Sequence, residues 1–108
     1  MTSSWFSMNR QVQAVAQRIA DAIHPERIIL FGSQGTGQAG PESDVDLLLI
    51  YKGPLSKRDV KLAVRRLFPR PEFSLDLFVL TPEEYARQRS VPSTLGHLVS
   101  REGVVCYG

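Results

Sequence analysis

The stretch from Phe31 to Leu47, FGSQGTGQAGPESDVDL, decides how the rest of the chain is interpreted. A Gly-Ser pair, Gly32 and Ser33, stands near its start. Two aspartates, Asp44 and Asp46, stand near its end, with ten residues between Ser33 and Asp44. An apolar run precedes the pair and another follows the aspartates. The pattern therefore predicts a strand, a turn, a glycine-rich loop and a second strand.

Each part of this stretch has a chemical use. A glycine directly after a strand allows a sharp turn and the close approach of a phosphate, and backbone N–H groups at such a turn favour an anion. Asp44 and Asp46 are two residues apart on a predicted strand, so both project from one face. Their mutual repulsion is removed by Mg²⁺, which binds carboxylates together with phosphate oxygens. Each feature alone is common in ordinary turns and strands, so the hypothesis depends on their combination.

The combination of Gly32-Ser33, ten residues and Asp44-Val45-Asp46 resembles the signature of the nucleotidyltransferase superfamily typified by DNA polymerase beta. The length of the chain is similar to that of the smallest members, the minimal nucleotidyltransferases. The resemblance covers roughly residues 27–108. It implies an α+β fold like the polymerase beta palm, with a mixed three- to four-stranded sheet flanked by helices.

Asp76 is the candidate for a third carboxylate, because it lies in an apolar run that predicts a strand over 73–80. A carboxylate in such a strand is costly unless it is paired or bound to metal, and a salt bridge with an arginine is the alternative. The resemblance implies that Asp44, Asp46 and Asp76 hold two Mg²⁺ ions, with Asp76 as the base. It also implies that the Gly-Ser pair holds the β- and γ-phosphates of ATP.

The chain departs from the family pattern directly after the Gly-Ser pair. Members often carry basic residues there, whereas this chain has Gln34, Gly35 and Thr36. The phosphate site therefore has less positive charge than usual, which makes catalytic activity an open point. Lys52 and Arg87 are the candidates to supply that charge.

The resemblance also implies a partner, because minimal nucleotidyltransferases are often paired with a helical HEPN-domain protein. We expect transfer of AMP to a tyrosine hydroxyl of such a partner, with this chain acting as the antitoxin. A non-catalytic antitoxin that acts by contact alone is one alternative. A subunit that modifies a small molecule, as aminoglycoside nucleotidyltransferases do, is another, and a homodimer remains open.

Composition limits the other classes of function. The 108 residues predict one domain, 1–108, with an N-terminal helix over 8–23, a catalytic core over 27–80 and C-terminal helices over 82–108. A net charge of +2 does not favour nucleic acid as a direct ligand. One cysteine, Cys106, fits a reducing compartment. No apolar run approaches the roughly 20 residues of a membrane span, so we expect a cytoplasmic protein.

Local patterns place the helices. The first is predicted from an apolar stripe, with Trp5 and Phe6 preceding it and either packing on the core or contacting a partner. That stripe consists of Val12, Val15, Ala16, Ile19 and Ile23. A second helix is predicted from Lys57 to Phe68 with Ser56 as N-cap; its basic residues over 57–66 are interpreted as a solvated face, with nucleic acid as the alternative.

Two further helices follow the third strand. A capping box beginning at Thr81 opens one that runs to about Gln88. The other is predicted over 93–101, before a short closing strand over 104–107.

Overall fold

The computed structural model describes residues 3–32, 45–69 and 74–108, with side chains from residue 10 onward. Helices and strands are interspersed along this part of the chain. Their order is α1 (Ser3–Ile23), β1 (Arg27–Phe31), β2 (Val45–Ile50), α2 (Lys57–Leu67), β3 (Leu75–Leu80), α3 (Pro82–Gln88), α4 (Leu95–Glu102) and β4 (Val104–Tyr107).

Helix α1 confirms the predicted apolar stripe but begins earlier than the pattern suggested. All five stripe residues are buried. The helix starts at Ser3 rather than near Met8, so the prediction that Trp5 and Phe6 precede it is wrong. No glycine or proline interrupts the chain between Ser3 and Ile23, which lets the helix extend.

The strands form a mixed sheet in the order β3-β2-β1-β4. Strand β1 pairs antiparallel with β2 and β4, whereas β2 and β3 are parallel. The predicted mixed sheet of three to four strands is therefore confirmed within the described residues. The central strand β2 is apolar on both faces after Asp46, as expected for a strand that is covered on both sides.

The two faces of the sheet bury different sets of side chains. Leu47 and Leu49 of β2 join a core cluster with α1 and α2. Leu48 and Ile50, which alternate with them, join a second cluster that includes Val99 of α4. Because side chains alternate along a strand, Asp46 lies on the face of this second cluster.

The other boundaries agree with the sequence to within two residues. Ser56 is the N-cap of α2, and its hydroxyl accepts a hydrogen bond from the Asp59 N–H at 3.1 Å. Thr81 and Glu84 form both hydrogen bonds of the capping box that opens α3. Helix α4 begins at Leu95 with Thr94 as N-cap, later than predicted, because Ser93 has a φ of 74° and cannot be helical.

No helix in the described part of the chain is long and apolar enough to cross a membrane.

Candidate functional site

Asp46 and Asp76 are direct neighbours across the parallel strands β2 and β3. Their Cα atoms are partners in the register of the pair, and neighbouring strands lie about 4.8 Å apart. Asp46 is half-buried and Asp76 is exposed. The residues that flank them in sequence pack into the cluster on the opposite face, so both carboxylates project from the same face. The structure thus brings together two of the three predicted carboxylates.

Gly32 is the third described element of the site. It follows β1 directly, and its φ of 75° lies in the left-handed region that favours glycine. A Cβ atom added at Gly32 would lie against Oδ2 of Asp46. The turn therefore passes so close to the Asp46 carboxylate that no side chain fits between them. A backbone turn this close to a carboxylate suits a phosphate that is bound together with a metal ion.

The rest of the predicted site lies outside the described residues. That part includes Ser33, Asp44, and the segment Gln34, Gly35 and Thr36. Among the residues that the structure describes, no group of three or more His, Cys, Asp or Glu side chains is close enough to hold a metal ion. The described part of the site is therefore Gly32, Asp46 and Asp76.

Asp76 has no salt bridge within the described ranges, where the alternative interpretation expected an arginine. Ion pairs in the described part of the chain include Lys52 with Glu83 at 3.4 Å and Lys57 with Glu84 at 2.7 Å. Lys52, one candidate to supply positive charge to the phosphate site, is thus paired with a carboxylate of α3.

Hydrogen bonds around α3 lower the pKa values of its two acidic residues. The largest cause for Glu83 is a backbone hydrogen bond, followed by the contact with Lys52. The pKa of Glu84 is lowered first by the hydrogen bond from Lys57 and then by the backbone N–H of Thr81. Both residues stabilise the start of α3, away from the aspartate pair.

An aromatic pair lies beside the two aspartates on the same face. The ring centroids of Phe31 and Phe78 are 5.5 Å apart, at an interplanar angle of 59°. Exposure along β3 rises from 8% at Leu80 to 37% at Phe78. On this face, helices α3 and α4 therefore cover the Leu80 end of β3, whereas the end that carries Asp76 is exposed. Sequence reasoning missed this pair, although Phe78 follows Asp76 at strand spacing.

A cavity of about 300 Å³ lies where the end of α2 meets the start of β3. It is lined by Arg65, Phe68, Ser74, Leu75, Asp76 and Leu77. The guanidinium of Arg18 lies 5.1 Å from the centre of the Phe68 ring. Sequence reasoning placed Arg65 on a solvated basic face and gave no sign that it shares a cavity with Asp76.

The chain matches a known protein family over most of its length. The family profile described as Nucleotidyltransferase domain matches residues 8–102. A search of curated proteins found no match.

Three crystal structures have a similar fold. A toxin-antitoxin structure with AMP-PNP contains a chain that is 19% identical, with a TM-score of 0.58, over 89% of this chain and 73% of that one. A Sulfolobus solfataricus protein named as a nucleotidyltransferase is 21% identical, with a TM-score of 0.62, over 95% and 82%. A mutant toxin-antitoxin complex, MntA-HpeT, is 19% identical, with a TM-score of 0.63, over 89% and 73%. At these identities the likeness shows the fold, and it confirms the predicted fold class.

Proposed function

Since this chain belongs to the nucleotidyltransferase-domain family, we propose that it transfers AMP from Mg-ATP to a tyrosine hydroxyl of a HEPN-domain partner and thereby acts as an antitoxin. The observation that carries the proposal is the register of Asp46 and Asp76 on neighbouring parallel strands, with the backbone of Gly32 close to the Asp46 carboxylate. Carboxylates this close repel each other unless a cation or a proton lies between them.

The donor set fits Mg²⁺. Carboxylate oxygens are the ligands that this ion prefers, with phosphate oxygens completing its shell. Asp46 and Asp76 would hold the metal together with Asp44, which lies two residues before Asp46 on the same predicted strand. When bound, Mg²⁺ neutralises charge on the phosphates and favours the deprotonated acceptor.

The chain's own groups then have separate tasks. Gly32 and Ser33 bind the β- and γ-phosphates through backbone N–H groups and a hydroxyl. Asp76 accepts the proton of the attacking hydroxyl. The acceptor oxygen forms a bond to the α-phosphorus, the bond from the α-phosphorus to the bridging oxygen breaks, and pyrophosphate leaves with the electron pair. The acceptor gains one AMP unit.

The solved structures support the choice of partner and nucleotide. Two of them are toxin-antitoxin complexes, and one of these contains AMP-PNP, a non-hydrolysable analogue of ATP. The other carries two Asp-to-Glu substitutions two residues apart. This is the spacing of Asp44 and Asp46 here.

A second candidate function is neutralisation of the partner by contact alone. The absence of basic residues at Gln34, Gly35 and Thr36 favours it, as does the pairing of Lys52 with Glu83. A site with weak affinity for the triphosphate would bind its partner without modifying it.

Intact mass spectrometry of the partner separates the two candidates. The test incubates a HEPN-domain protein with this chain and Mg-ATP. We expect the partner to gain one or more AMP units. Asp76→Asn removes the base, so transfer should fall by about 10²–10⁴-fold. Asp21→Asn, a change of an exposed carboxylate on α1, is the matched control and should leave transfer unchanged.

If the mass of the partner never changes although its toxicity is neutralised, the enzyme proposal is wrong and contact alone explains the antitoxin. Equal rates of AMP transfer by wild type and Asp76→Asn would show that Asp76 is not the base.

A further inference from the structure

The sheet places Phe78 directly beside the two carboxylates. Asp46 and Asp76 are partners in the register of β2 and β3, and Phe31 on β1 is the partner of Asp46. Phe78 follows Asp76 by two residues on the same strand and is the partner of Leu48. Side chains two residues apart on a strand share a face, at a spacing of about 6.6 Å. The Phe78 ring is therefore a direct neighbour of the proposed base.

The surroundings of the Phe78 ring determine which part of it is exposed. Phe31 lies on β1 and Phe78 on β3, so the two rings, with centroids 5.5 Å apart, meet above β2. Leu80, the next residue of β3 on this face, is buried in the cluster that includes side chains of α3 and α4. Phe78 itself remains 37% exposed. The exposed part of its ring therefore lies towards Asp76 and the outer edge of β3.

The proposed reaction places an acceptor hydroxyl next to this ring. A base accepts a proton from a hydroxyl within about 2.6–3.2 Å, so the acceptor oxygen lies at Asp76. In tyrosine the ring carries the hydroxyl directly, so a phenol that reaches Asp76 brings its ring beside Phe78. Aromatic rings attract each other in edge-to-face or offset arrangements, with centroids about 4.5–7 Å apart. A serine or threonine hydroxyl brings no ring and gains nothing from this contact.

The base of the nucleotide suits the Phe78 surface less well than the acceptor does. The phosphates are proposed to bind at Gly32, which follows β1. In a phosphoryl transfer the attacking and leaving oxygens are roughly in line, so the acceptor lies on the side away from the pyrophosphate. That side is β3, which is an edge strand in the described sheet. Phe78 is on this strand, two strands away from the phosphate turn.

We propose that Phe78 determines the specificity for the acceptor: its exposed ring packs against the ring of a tyrosine whose hydroxyl lies at Asp76, and this contact favours a phenol over an aliphatic hydroxyl. The proposal rests on the proposed function for the position of the acceptor hydroxyl. Phe78 contacts the acceptor ring and none of the reacting atoms.

The first experiment measures whether a phenol binds at Phe78. The probe is 4-methylphenol, the tyrosine side chain as a free molecule, titrated into the full chain with Mg²⁺ and no nucleotide. We expect saturable shifts of the Phe78 ring protons in NMR spectra. Phe78→Leu keeps an apolar side chain but removes the ring, so it should weaken binding by about threefold to tenfold. Tyr107→Ala is the matched control and should leave binding unchanged, because Tyr107 is also 37% exposed but lies on β4, at the opposite edge of the described sheet.

The second experiment measures acceptor preference with labelled Mg-ATP. The acceptors are two glycine pentapeptides that differ only in a central tyrosine or serine. The preference for tyrosine, taken as the ratio of the two kcat/KM values, should fall by about threefold to tenfold in Phe78→Leu. The loss should lie in the KM for the tyrosine peptide and not in the KM for ATP. Phe78→Trp keeps a ring and should retain the preference, whereas a purely structural role would favour leucine over the larger tryptophan.

The outcomes separate this proposal from the proposed function. If 4-methylphenol binds at Phe78 and neither the peptides nor a HEPN-domain protein gains AMP, the phenol contact stands and the enzyme function fails. If transfer occurs and Phe78→Leu behaves like Tyr107→Ala, the role of Phe78 is wrong and the enzyme function stands. A rise in the KM for ATP in place of the KM for the tyrosine peptide would assign the ring to the nucleobase and overturn the proposal. Failure of 4-methylphenol to bind in a saturable way would also overturn it.

Discussion

Replacement of Gly32 by alanine tests the closest contact in the proposed site. Gly32 has a φ of 75°, and an alanine held in the left-handed region costs about 1–2 kcal/mol. Its Cβ would also lie against Oδ2 of Asp46, which must rotate away from its preferred conformation at about 0.5–1.5 kcal/mol. We expect Gly32→Ala to lower the free energy of unfolding by about 2–3 kcal/mol, or the melting temperature by roughly 10 °C or more.

Urea denaturation followed by circular dichroism measures this loss of stability. Two further variants separate the backbone contribution from the contribution of the Cβ contact. Asparagine tolerates the left-handed region, so Gly32→Asn should keep the cost of the Cβ contact and lose part of the backbone cost. Asp46→Ala removes the oxygen that the Cβ meets. In that background Gly32→Ala should cost less, with a coupling of about 0.5–1.5 kcal/mol.

Nucleotide binding should depend on the same contact between Gly32 and Asp46. Because the displaced carboxylate is a proposed metal ligand, Gly32→Ala should weaken Mg-ATP binding more than its effect on stability accounts for. Calorimetry at a temperature where the variant is folded measures this. Two results would refute the close approach of the Gly32 turn to the Asp46 carboxylate. One is a free energy of unfolding of Gly32→Ala within about 0.5 kcal/mol of wild type. The other is an equal loss of stability from Gly32→Ala with and without the Asp46 side chain.

Three further predictions concern charge and burial. In chelator, Asp76→Asn should raise the free energy of unfolding by about 1 kcal/mol, because it relieves repulsion with Asp46. Mg²⁺ should stabilise wild type more than the variant. A melting temperature of Asp76→Asn below that of wild type in chelator would contradict this. The pKa of Glu84 is lowered from 4.5 in the folded chain, so the stability that ionised Glu84 contributes is full above pH 4.5 and is lost as the pH falls below this value. In Glu84→Gln, the melting temperature should therefore fall less steeply with pH in the acid range. Burial raises the pKa of the Cys106 thiol, so alkylation by iodoacetamide at pH 8 should be slower in the folded chain than in urea, and equal rates would contradict the burial.

Sequence patterns predicted the parts of the fold that depend on nearby residues. The N-caps Ser56 and Thr81 are recognisable because a cap bonds to backbone only two or three residues away. The start of α1 was wrong because Trp5 and Phe6 have middling helix propensity and no breaker marks the boundary. Such boundaries are decided by packing, which a local pattern does not contain.

The candidate site was predictable in its residue types but not in its surroundings. Gly32, Asp46 and Asp76 have residue types that indicate phosphate and metal chemistry, and their meeting required only that β3 lie beside β2. The shared cavity of Arg65 and Asp76 was not predictable, since it depends on where the end of α2 packs against the edge of β3. On sequence alone Arg65 is one of several cations on a helix.

The apolar residues that alternate with exposed ones along β3 position the proposed base. Leu77 and Val79 are buried in the cluster with α1 and α2, which fixes the face that each residue of β3 presents. A shift of the β2–β3 register by one residue would turn these side chains to the opposite face and place Asp76 against the buried leucines of β2. The free energy lost by such a shift is that of several buried side chains, at about 1.5–3 kcal/mol each. The hydrophobic core thus holds Asp76 next to Asp46, although neither aspartate contributes to that core.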